Sequence, residues 1–98
     1  MHLDIEVNQQ DIETGVPSDE HWCPIARAVR RLVPDVECVT VDSGVLSVVL
    51  TTDREEHLEA ELPLNAKEFV AMFDDLEAVQ PFRFSASLIR KPGWSHDI

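Results

Sequence analysis

No apolar run in this chain approaches the roughly 18–20 residues that a membrane span requires. Its first residues, Met1-His2-Leu3-Asp4-Ile5-Glu6, lack the basic start and apolar stretch of a secretory signal. Positive charge is scarce. Eight Lys and Arg stand against 19 Asp and Glu, a formal net charge of -11. A field of that sign repels phosphate backbones, which argues against nucleic acid as a partner. Cysteine is scarce too: Cys23 and Cys38 do not make a disulfide framework, and both are expected to be reduced. There is no internal repeat and no low-complexity segment. Together these absences predict a cytoplasmic protein with no membrane contact.

What is present suits one globular domain. A chain of 98 residues with 44% hydrophobic content can bury one core without compulsory staples. The expected division is a domain over 1–90 and a polar tail over 91–98. Leu3 to Val7 alternates apolar and polar, the pattern of a half-buried strand. Asn8 can cap a short helical turn over Gln9 to Glu13, closed by Gly15. A helix is expected from Pro24 to Val33, with Ile25, Ala28, Val29 and Leu32 as its buried stripe. Pro34 stops it.

Three strands follow in series. Val36 to Asp42 and Val45 to Thr52 flank the tight-turn pair Ser43-Gly44, so they form a hairpin. Asp53 to Glu56 is a polar connection, and His57 to Leu62 alternates with Leu58, Ala60 and Leu62 inward. Asn65 and Glu68 stand at capping-box spacing before a second helix, whose apolar face is Phe69, Val70, Met72, Phe73 and Leu76. Gln80-Pro81 introduces the last strand, Phe82 to Ile89. The order β-α-β-β-β-α-β predicts a two-layer α+β fold, an antiparallel sheet with both helices on one face. High burial is expected at Ile25, Val29, Leu32, Phe69, Phe73, Phe82 and Phe84.

Cys23-Pro24-Ile25-Ala26, followed by Ala28, Arg30 and Arg31, then Phe73-Asp74 and Pro81-Phe82-x-Phe84, resembles a pattern in small accessory proteins of actinobacterial phages and prophages. The resemblance spans roughly Ile5 to Leu88. It implies a phage origin and the host cytoplasm as location, and the family carries no assigned activity. Many of its members have a second cysteine three residues before the Cys-Pro pair, where this chain has Glu20.

The candidate functional residues fall into three groups. Arg27, Arg30 and Arg31 share one helical face and could grip a carboxylate or phosphate on a partner; alternatively they pair with the chain's own carboxylates. Glu55, Glu56, Glu59 and Glu61 could form an acidic surface for a basic partner, or simply a solvated face. Cys23 follows His21-Trp22 at a helix start, where the helix dipole favours a thiolate, so a small thiol-dependent enzyme is the alternative reading. Against that stands a cysteine that only packs. His21, Cys23, Cys38 and His57 lack the paired short spacings of a zinc site, so no metal or cofactor is expected. The favoured expectation is a non-enzymatic protein that binds a host protein or a second copy of itself through an acidic surface.

Overall fold

Alternation decides the first strand. In β1 (His2–Val7) Leu3, Ile5 and Val7 are buried while His2, Asp4 and Glu6 face solvent. The computed structural model describes residues 1–51 and 55–90. After β1 come α1 (Gln9–Thr14), α2 (Pro24–Leu32), β2 (Val36–Asp42), β3 (Val45–Thr51), β4 (Glu55–Glu61), α3 (Leu64–Asp74), β5 (Phe82–Ser87) and β6 (Ile89–Arg90). The fold is α+β in the expected order, with α1 as the short helix after Asn8. The expected tail over 91–98 and the Asp53-Arg54 part of the polar connection lie outside the described residues, while Glu55 and Glu56, expected in that connection, pair with Thr51 and Leu50 and open β4.

In place of the single antiparallel sheet expected from the sequence, the strands form two, β1-β5 and β2-β3-β4-β6, because the last strand is split after Ser87 and its two parts pair with different neighbours. One stretch of chain joins them. β5 pairs with β1 from His2↔Ser87 to Val7↔Phe82, and the chain then continues past Leu88 to lay Ile89 and Arg90 beside Glu59 and Leu58 of β4. The N–H of Leu88 donates to the Met1 carbonyl at 2.7 Å, so the pairing with the N-terminal segment reaches one residue beyond β5. The hairpin at Ser43-Gly44 is formed as expected, with Asp42↔Val45 closing it and both turn residues at positive φ (54° and 78°). The inward residues of both sheets and the buried residues of α2 and α3 make one core. Ile25, Val29, Leu46 and Val48 are sealed within it, and each such side chain contributes about 1.5–3 kcal/mol.

Expectations for single residues change as well. Leu32 is 45% exposed, because α2 ends there and Val33 and Val36 close the core in its place. Met72 and Leu76 are exposed as well: α3 ends at Asp74, and Leu76 (79% exposed) sits beyond it in a left-handed turn at φ 62°. Phe82 is only half-buried, although it stacks on Phe69 at 4.6 Å and on Phe84 at 5.6 Å between centroids. Asn65 is not a helix cap. Pro63 occupies that position with extended backbone geometry, and the Asn65 amide donates to the Arg83 carbonyl instead.

Candidate binding site

Helical spacing brings Arg27, Arg30 and Arg31 to one side of α2, and there the fold separates their roles. Arg31 is committed internally. Its Nη1 donates to Asp11 Oδ1 at 2.6 Å and its Nη2 to the Glu6 carbonyl at 2.8 Å. Asp11 is buried and already caps α1, accepting the Asn8 N–H while its own N–H donates to Asn8 Oδ1. Arg31 therefore neutralises a carboxylate that would be costly to bury alone.

Arg27 and Arg30 have no carboxylate within ion-pair distance among the described residues. Their Nε atoms are sealed from solvent and make no hydrogen bond, an arrangement that costs about 1–3 kcal/mol per group. Arg30 lies over the Trp22 ring, 4.5 Å from its centroid, in a cation–π contact. Trp22 itself is 46% exposed. All three residues, with Gln10, Asp11 and Arg31, line a cavity of about 300 Å³.

The glutamates of β4 do not make one surface. Glu55 stands opposite Thr51 at the start of the strand, and pleating puts Glu59 and Glu61 on one face and Glu56 on the other. Glu56 pairs with Arg90 at 2.9 Å, and Glu61 pairs with Lys67 at 2.7 Å, which lowers the Glu61 carboxyl below its usual range. Nearby cations thus answer much of the charge that the sequence assigns to this strand.

An acidic surface is formed elsewhere. Asp19, Glu20, Asp42 and Asp74 line a cleft of about 460 Å³ between the loop before α2, the end of β2 and α3. The loop is held in place by backbone pairing of Val41 N–H with the Glu20 carbonyl. Asp19 accepts the N–H groups of His21 and Trp22, and Asp74 accepts that of Ser18. Among the described residues, none of the four carboxylates has a cationic partner.

Cys23 forms part of the wall of this cleft, as does His21. The thiol is buried, and burial pushes its pKa up. The Ala26 and Ile25 N–H groups at the helix start pull it down by less, and the charges of Asp74 and Asp19 push it further up. No side-chain capping bond forms, and no hydrogen bond links the His21 ring to the thiol. Desolvation outweighs the dipole here, so the resting group is a protonated thiol, not a prepared nucleophile. Cys38 is a separate, half-buried thiol in β2. Among the described residues, no three His, Cys, Asp or Glu side chains converge as metal ligands.

No family model, curated protein or solved structure matches the chain. The site therefore rests on its geometry. Of its residues, Arg27, Arg30 and Arg31 were legible as a helical face. Trp22 reads in sequence as hydrophobic cover. Asp19, Glu20, Asp42 and Asp74 come from three separated segments, and no sequence spacing joins them.

Proposed function

We propose that this chain is a non-enzymatic phage accessory protein that acts by binding a protein partner through an acidic surface. The observation that carries the reading is the cleft of Asp19, Glu20, Asp42 and Asp74, whose charge no cation among the described residues pairs with. A concave surface of one sign focuses the field of the whole chain and speeds capture of a basic partner. The Cys23-Pro24-Ile25-Ala26 resemblance supports a phage origin and a partner in the host. The protonated, buried thiol of Cys23 supports binding over thiol catalysis. Among the described residues, no helix is long and apolar enough to cross a membrane.

Affinity capture from an actinobacterial host extract, followed by stopped-flow association with the purified partner, tests this reading. Glu20→Gln with Asp42→Asn is the informative variant, because neither side chain holds a backbone N–H. It should slow association several-fold at low salt and flatten the dependence on NaCl. An association rate that ignores both the substitutions and the salt would sink the proposal.

A further inference from the structure

We propose that Trp22, Arg27 and Arg30 form a receptor site for a carboxylate side chain of a partner polypeptide. The site goes beyond the acidic cleft, since it takes a ligand group of the opposite charge and shares no residue with it. Every other cation with a described side-chain pairing is answered within the fold: Arg31 by Asp11, Lys67 by Glu61, Arg83 by Glu6 and Arg90 by Glu56. Arg27 and Arg30 alone have no such partner among the described residues, although carboxylates outnumber cations more than two to one in the chain. Two adjacent guanidinium groups left unpaired in so acidic a chain are placed to receive a group from outside.

The geometry suits that role. One turn of α2 brings both arginines to the same cavity, and the Trp22 ring fixes Arg30 from one side. Only the Nε atoms are sealed; the terminal nitrogens are not among the buried, unbonded atoms. Held guanidinium forks match a carboxylate with two parallel N–H···O bonds and lose little freedom on binding it. The exposed part of Trp22 offers apolar contact to the residue beside the acidic one.

Charge selects among anions. The work of bringing a ligand into the field of a -11 chain grows with the ligand's own charge. A single carboxylate is opposed least, a phosphate dianion about twice as much, and a nucleic-acid strand many-fold.

The test uses the full chain carrying Trp94→Phe, so that Trp22 is its only tryptophan. An acetylated, amidated hexapeptide with a single Glu among Ala residues is titrated while Trp22 fluorescence is followed, with the Gln-for-Glu peptide and inorganic phosphate in parallel. The Glu peptide should give a saturable change. Arg27→Gln and Arg30→Gln should each weaken it at least tenfold, and Arg30→Lys, which keeps the charge but loses the fork, several-fold. Lys67→Gln, and Glu20→Gln with Asp42→Asn, should leave it unchanged, which separates this site from the acidic cleft. Thermal melts of each variant confirm folding, and Arg30→Lys serves where a Gln variant fails to fold. Equal binding of the Gln peptide, tighter binding of phosphate, or full retention of binding in folded Arg27→Gln or Arg30→Lys would overturn the assignment. So would self-association that Arg27→Gln abolishes, because the occupant would then be a second copy.

Discussion

Gly15 is held by its neighbours and not by an unusual backbone, since its φ is -71°. A Cβ built there would meet Pro24 Cδ and Cγ at 2.7 Å and the Asp11 carbonyl oxygen at 2.8 Å. Neither a proline ring nor a main-chain carbonyl in a cap can step aside. Gly15→Ala should therefore destabilise the fold by about 1–3 kcal/mol, read from urea denaturation. The Cys23 thiol yields a second expectation, with a definite sign. Burial raises its pKa in the folded state above the ordinary value near 9.0. Its contribution to stability is thus complete below about pH 9 and is lost as pH rises through the unfolded value towards the folded one. Melting temperature should fall above pH 9 in the parent chain and fall less steeply in Cys23→Ala. Parallel curves would show that the thiol is not the group responsible.

Short elements here depend on a few directed bonds. α1 has six residues, too few to be stable alone. It is fixed by the reciprocal cap of Asn8 with Asp11 and by the Asp11–Arg31 pair to α2. Asp11→Ala removes both and should cost about 2–4 kcal/mol, measured by chemical denaturation, whereas Asp11→Asn should recover part of the capping share. The end of α3 offers a change in the other direction. Leu76 occupies a left-handed turn with its side chain in solvent, so Leu76→Gly should stabilise the protein by about 0.5–1 kcal/mol in the same assay. These termini also mark where reading the sequence stops. Period-two and helical spacing placed β1, β2, β3 and α2 closely, because each buries one face of a regular element. The same spacing put Leu32 on the buried stripe of α2 and carried α3 two residues too far, to Leu76, since a stripe does not say where its opposing sheet ends. Asn65 has the chemistry of a cap, but Pro63 had already set the backbone and Arg83 supplied another acceptor. The acidic cleft was hidden for a different reason: a bond between Glu20 and Val41 depends on the packed chain and leaves no periodic trace.

Across the whole molecule, charge works against compactness. A net charge of -11 repels itself, and in the folded chain those charges are confined to a smaller volume than in the unfolded one. Raising NaCl from about 10 mM to about 150 mM shortens the screening length from roughly 30 Å to roughly 8 Å. Melting temperature should rise by a few degrees over that range, most of it at the low-salt end. A fall would mean that the pairs at Arg31, Lys67 and Arg90 outweigh the general repulsion. The same field that would draw in a basic partner is thus a standing load on the unbound fold. The pairing of β1 with β5 has its own consequence, in the order of assembly. The β2-β3-β4 meander joins near neighbours and can form as soon as residues 36–61 are available. Among the described residues β1 has no strand partner but β5, and His2 must find Ser87 across 85 residues. Closing so long a loop is slow, and part of its reward waits until Phe82 stacks on Phe69 of α3 and Phe84 on Phe82. The first strand of the chain is therefore expected to pair among the last, and its hydrogen-bonding edge stays open until β5 arrives.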